Sequence, residues 1–169
     1  MNEIGGYDFE DLEAGMSASF AKTITEADIL LFAAASGDIN AVHINEEFAR
    51  TTPFKGRIAH GMLSASMISA ALAGRLPGPG TVYVGQNLRF KAPVRAGDTV
   101  HATVAVKELQ PEKSRVVMST VCTVAGKVVI DGEAVVMATS RARRVAECAD
   151  GAGEPAITSE SIEAQQSCR

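Results

Sequence analysis

Arg57-Ile58-Ala59-His60-Gly61-Met62-Leu63-Ser64-Ala65-Ser66-Met67-Ile68-Ser69-Ala70-Ala71-Leu72-Ala73-Gly74 contains a single helix with no face suited to water. After Arg57 it holds no Asp, Glu, Lys or Arg, and Ala, Leu, Met and Ile fill most of it. A helix apolar nearly all round is normally wrapped by other structure. Gly74 offers a natural C-cap. The chain that follows supplies the wrapping. Thr81–Ala92, Thr99–Leu109, Arg115–Val124 and Val128–Thr139 are rich in Val and Thr with alternating polarity, and breaks at Pro93–Gly97, Gln110–Lys113 and Gly126 separate them. Each reads as a strand of an antiparallel sheet, and an earlier strand is expected at Met16–Thr23. One apolar helix plus a run of antiparallel strands predicts an α+β domain whose sheet wraps its concave face around the helix.

Upstream lies the stretch richest in chemistry, Phe32-Ala33-Ala34-Ala35-Ser36-Gly37-Asp38-Ile39-Asn40-Ala41-Val42-His43. An Ala-rich helical run ends at Ser36-Gly37, because Gly raises the backbone entropy cost and Ser and Asp favour caps and turns. Asp38, Asn40 and His43 are therefore expected on a loop, where binding and catalytic groups tend to sit. A carboxylate and an imidazole five positions apart can share one water and move its proton near neutral pH. The amide of Asn40 can hold the loop or a ligand carbonyl. The same three residues, taken alone, also suit a plain turn with a packed histidine.

Composition narrows the class. A chain of 169 residues can bury a sizeable core, and one domain is the expected count. A net charge of −4 argues against nucleic acid as a partner, since such binding rests on clustered Lys and Arg. The short basic group Arg141-Ala142-Arg143-Arg144 is read as the solvated end of the last strand. Met1-Asn2-Glu3-Ile4-Gly5-Gly6 has neither a basic nor an apolar leader region, so no signal peptide is expected. The apolar run Met62–Ala73 is too short for a bilayer, which needs about 20 residues, so no membrane contact is expected. Cys122, Cys148 and Cys168 show no metal-ligand spacing and their number is odd, which points to free thiols in a reducing cytoplasm. Ala146–Arg169 lacks periodic apolar residues and is read as a flexible tail, which leaves residues 9–145 as the domain.

Three motifs in order give the chain a family resemblance. Phe32, Ser36-Gly37-Asp38, Asn40, Val42-His43 and Ala49 match the signature of the MaoC-like hot-dog domains. Ala59-His60-Gly61-Met62 matches the opening of that family's central helix. Tyr83-Val84-Gly85-Gln86-Asn87-Leu88-Arg89-Phe90, followed by Pro93-Val94 and Gly97-Asp98, matches its characteristic strand. The likeness runs from Phe9 to about Arg144 and is nearest to the (R)-specific enoyl-CoA hydratases. Two departures are evident. Ala41 stands where the family usually has Pro, and Ala35 where a larger aliphatic residue is common. Proline would fix φ, so Ala41 leaves the loop freer without touching the side chains that do chemistry.

The resemblance implies hydration of a trans-2-enoyl-CoA to the (R)-3-hydroxyacyl-CoA, with CoA part of the substrate and no separate cofactor or metal. Asp38 and His43 would hold and deprotonate the water, and the resulting acid would protonate Cα. The backbone N–H of Gly61, at the head of the apolar helix, suits the developing oxyanion on both residue chemistry and resemblance. Ser69 matches a serine lining the active site of similar hydratases, about 12 Å along the helix from Gly61. It can order the dyad or the acyl group, or simply satisfy its own helix. Arg57, Arg89 and Lys91 are candidates for CoA phosphates. His60 is read as shaping the helix start, and His101 as a surface residue.

Two rivals share the fold. A hot-dog thioesterase often carries a catalytic carboxylate on the central helix, and Gly61–Gly74 has none. A non-catalytic acyl-CoA-binding subunit would be expected to lose Asp38 and His43, and both are present. Finally, one sheet wrapped on one helix leaves an open strand edge, a liability unless paired. With the resemblance, this predicts a homodimer with substrate at the subunit interface.

Overall fold

The computed structural model describes residues 1–151, and the side chains as far as Ala146. Alternating sequence becomes five strands: β1 (Ser17–Thr23), β2 (Val82–Phe90), β3 (Thr99–Gln110), β4 (Arg115–Val124) and β5 (Lys127–Met137). They form one sheet in the order β1-β3-β4-β5-β2, every neighbouring pair antiparallel. Period-two patterning sorts the faces. In β4, Val116, Met118, Thr120 and Cys122 are wholly buried while Val117, Ser119 and Val121 are only partly so. In β3, Val100, Ala102, Val104 and Val106 do the same.

The helices are α1 (Glu26–Ser36), α2 (Ala41–Ile44), α3 (Glu46–Thr51), α4 (Gly61–Gly74) and α5 (Arg141–Gly151). The apolar helix anticipated from composition is α4, and it packs on the buried face of the sheet. Leu63, Ala65, Met67, Ile68, Ala71 and Leu72 are buried on it, more than a single stripe could hold. Burying each Leu, Met or Ile stabilises the fold by about 1.5–3 kcal/mol. Gly74 is the last residue of α4 and not its cap. Arg75 takes the C-cap with φ −133°, and the chain leaves through Leu76-Pro77, where proline cannot continue a helix.

Arg141–Arg144 does not end a strand, as the sequence suggested; it opens α5. The reason lies at the other end of the chain. Asp8, 1 % exposed, accepts hydrogen bonds from Nη1 and Nη2 of Arg144 at 2.8 and 2.7 Å and from Thr139 Oγ1 at 2.8 Å. The carboxylate of Glu10 accepts from Ser140 Oγ at 2.6 Å and from the backbone N–H groups of Arg141 and Ala142, capping the helix, while Asp11 pairs with Arg141. Such acidic partners at a helix N-terminus satisfy its free N–H groups and its dipole. The helix runs past Val145 to Gly151, so the start of the anticipated tail is helical; residues 152–169 lie outside the described residues. Cys148 and Cys168, read as free thiols, also fall outside the described side chains, whereas Cys122 is free and buried.

The hydrogen bonds from Arg144 hold the Asp8 carboxyl well below the usual carboxylate range. A depressed carboxylate stabilises the fold fully above its unfolded pKa, about 4, and loses that contribution as pH falls through the folded value. Asp8→Asn should therefore lower the melting temperature by a few degrees at pH 7. The difference from wild type should shrink progressively below about pH 4. Thermal scans from pH 7 to 3 read this directly; a pH-independent difference would place the effect elsewhere.

Candidate active site at the head of the central helix

The loop after α1 is built by its own side chains. Gly37 caps α1 in the left-handed region at φ +76°. Ser36 Oγ accepts from the Asp38 N–H at 3.2 Å, and Asp38 Oδ1 accepts from the Asn40 N–H at 3.3 Å. Asn40 Oδ1 then accepts from the Val42 N–H, which makes Asn40 the N-cap of α2. This corrects the expected loop: His43 stands on a one-turn helix and is buried, because Asn40 starts that turn. Asp38 stays on the loop with its side chain half exposed.

His43 Nδ1 lies 2.9 Å from the carbonyl oxygen of Ile58. A carbonyl only accepts, so Nδ1 carries the proton and Nε2 presents a lone pair. That Nε2 is 3.9 Å from Asp38 Oδ2, too far for a direct hydrogen bond and well placed for one water to bridge. His60 holds both partners. Its Nε2–H donates to the Asp38 carbonyl oxygen at 2.9 Å, and its ring stacks on His43 with centroids 3.9 Å apart. It sits at the N-cap of α4 without a side-chain capping bond, so it braces the dyad and does not shape the helix start by capping.

One ligating atom each of Asp38, His43 and His60 lie within 4.8 Å of one another. The two imidazoles each engage one nitrogen with a backbone carbonyl, which leaves His43 Nε2 and His60 Nδ1 as their remaining ring nitrogens.

Gly61, the first residue of α4, faces the same site. A methyl group there would lie 2.9 Å from the Phe90 ring, so glycine permits β2 and the helix head to close together. First-turn N–H groups have no intrahelical acceptor, and the helix dipole favours negative charge beside them. Between these parts lies a cleft of about 270 Å³ bordered by His43, Gly61, Ser64, Phe90, Lys91 and Ile130, among others. It joins a base, a helix N-terminus and an apolar wall.

The other anticipated residues divide. Ser69 borders a second cleft, with Phe32, Met62, Tyr83 and Leu88, and the structure does not bring it to the His43 cleft. Arg57 is engaged by Glu26 at 2.8 Å and Glu46 at 3.5 Å, bracing α1 against α3. Arg89 lies on the opposite face of the sheet, beside Asn87, Ser119 and Asp131. Lys91 borders the His43 cleft while pairing with Asp131 at 3.0 Å. His101 is exposed on β3, on the face away from α4. Ser64 was missed: it lines the cleft, yet in sequence it looks like one more small residue in an apolar helix. Its position one turn after Gly61 is the signal that could have found it.

The family model described as "MaoC like domain" matches residues 10–131. The chain is 65% identical to the (R)-specific enoyl-CoA hydratase of Rhodospirillum rubrum, over 79% of this chain and 92% of the relative. The unliganded R-hydratase PhaJ1 from Pseudomonas aeruginosa superposes with a TM-score of 0.76 at 50% identity, covering 80% of this chain and 88% of that one. The (R)-hydratase of Aeromonas caviae involved in PHA biosynthesis gives 0.74 at 42% identity, covering 76% and 98%.

Proposed function

We propose a function from the premise that this chain belongs to the MaoC-like domain family: it is an (R)-specific enoyl-CoA hydratase, a hydro-lyase acting reversibly on trans-2-enoyl-CoA. The observation that carries this is the His43 lone pair held 3.9 Å from the Asp38 carboxylate, in reach of the cleft that Gly61 borders. Water bridging Asp38 and His43 attacks Cβ as one of its protons passes to the dyad. The electrons of the double bond move onto the thioester oxygen, which rests against the Gly61 N–H. The charge returns to Cα as the dyad delivers its proton there. General acid–base transfer of this kind contributes about 10²–10⁴-fold, and an oxyanion donor about 10²–10³-fold. Asn40 serves through its cap on α2, and Lys91 is the member of the three basic candidates positioned to meet the CoA moiety.

The sheet curling around α4 and the pairing of two chains belong to this reading. β2 is an edge strand with Val82, Tyr83 and Val84 exposed, and a second copy joined there would cover it and complete the substrate site. Among the described residues no helix is long and apolar enough to cross a membrane. We place the enzyme in the cytoplasm. A thioesterase is disfavoured because α4 carries no Asp or Glu, and a non-catalytic subunit because the dyad is intact.

Crotonyl-CoA discriminates among these. Loss of the enoyl-thioester absorbance without release of free thiol is the expected result; thiol release would mean a thioesterase, and no change would mean a binding subunit. Sedimentation of the active protein should give twice the chain mass. A fully active monomer would sink the dimer.

A further inference from the structure

Ser64 is 2 % exposed, and its Oγ has no hydrogen-bond partner among the described residues. Ser66, two positions on, returns its hydroxyl to the Leu63 carbonyl at 2.6 Å in the ordinary way of a helical serine. Ser64 does not. A buried hydroxyl left unpaired is destabilising, so a fold gains nothing from keeping one unless something else comes to meet it. The hydroxyl lines the His43–Gly61 cleft, whose walls include the apolar side chains of Phe90, Val94 and Ile130.

Helix geometry says where it reaches. Side chains tilt toward the helix N-terminus, so a residue covers the turn before its own Cα. Ser64 follows Gly61 by one turn, about 4.5 Å of rise, and so leans back toward the level of the Gly61 N–H. We propose that the Ser64 hydroxyl is a second hydrogen-bond donor to the thioester carbonyl oxygen, converging with the Gly61 N–H on the charge that develops there. The inference rests on the enoyl-thioester reading of the cleft. The hydroxyl transfers no proton: it strengthens its hydrogen bond as electrons arrive on the oxygen, which lowers the barrier without tightening ground-state binding equally.

The full-length Ser64→Ala protein tests this. Removing an unpaired buried hydroxyl should leave the melting temperature unchanged or raise it, whereas kcat for crotonyl-CoA should fall by about 10–100-fold with KM little changed. A spectroscopic arm reads the carbonyl itself. Bound to an Asp38→Asn protein, in which turnover is slowed, 2,4-hexadienoyl-CoA should absorb to the red of its free form, because donors at the carbonyl oxygen polarise the conjugated system. Adding Ser64→Ala should shrink that shift. Should Ser64→Ala fail to fold, Ser64→Cys keeps the shape and replaces a strong donor by a weak one, and takes its place. Turnover within twofold of wild type, a fall in kcat with the bound spectrum unmoved, or a loss of several degrees in melting temperature would each overturn the proposal. Wild-type protein that does not hydrate crotonyl-CoA would instead sink the enzymatic reading beneath it.

Discussion

Asp38→Asn should slow hydration of crotonyl-CoA by about 10²–10⁴-fold while leaving the melting temperature in place. The two outcomes separate because the carboxylate has two jobs at two oxygens. Oδ1 accepts the Asn40 N–H and closes the turn, which an amide oxygen does as well. Oδ2 faces His43 Nε2, where an amide can neither take a proton nor hold negative charge. His43→Ala should lose a comparable factor. The double variant should lose little more than either, since groups acting on one water as a unit are not additive. Residual product should still be the (R) isomer. Near-normal turnover in Asp38→Asn would reduce Asp38 to a turn residue.

Among the described glycines, Gly132→Ala should cost the most stability. Gly132 lies on β5 between two partners, Thr120 on β4 and Leu88 on β2. A Cβ there would stand 1.9 Å from the carbonyl oxygen of Asn87 and 2.9 Å from its carbon. Both are backbone atoms of a paired strand, so no side-chain rotation relieves the clash. β2 must move off β5 or the register must break. Overpacking costs about 1–3 kcal/mol and occasionally more; at the upper end, with about 2–4 °C per kcal/mol for a chain of this size, the melting temperature should drop by about 6–12 °C. Activity should fall with it, because β2 carries Phe90 against Gly61. Gly74→Ala is the matched control: it meets open space at the end of α4 and should be neutral or slightly stabilising. Equal melting temperatures for the two variants would show that the strands accommodate a methyl freely.

What the sequence disclosed follows from where each signal lives. The strands and α4 were legible because their cause is local: alternation and an unbroken apolar run record which faces meet water. Asp38, His43 and Gly61 were legible through motif spacing, and the structure brings His43 and Gly61 to one cleft with Asp38 beside them. The rest depended on distant partners. Arg141–Arg144 looked like a strand end because Asp8, Glu10 and Asp11, which turn it into a helix start, lie at the opposite end of the chain. His43 was expected on a loop because an Asn that caps one helical turn looks, in sequence, like an Asn in any turn. Helical periodicity put Ser69 on α4 but not on a particular cleft; only the position of β2 separates its neighbours, Tyr83 and Leu88, from those of His43.

The strand order also has a consequence in time. Translation delivers β2 second, yet its partner β5 is the last strand made, with Val82 waiting for Met137. During that interval α4 is already complete, and the sheet face that will bury it is still being synthesised. The nascent chain thus exposes its most apolar helix and an unpaired strand together, the combination most prone to capture by a neighbour. Only when Arg144 emerges can it meet Asp8, 136 residues earlier in the chain. Until then the residues around Asp8 wait for partners not yet made.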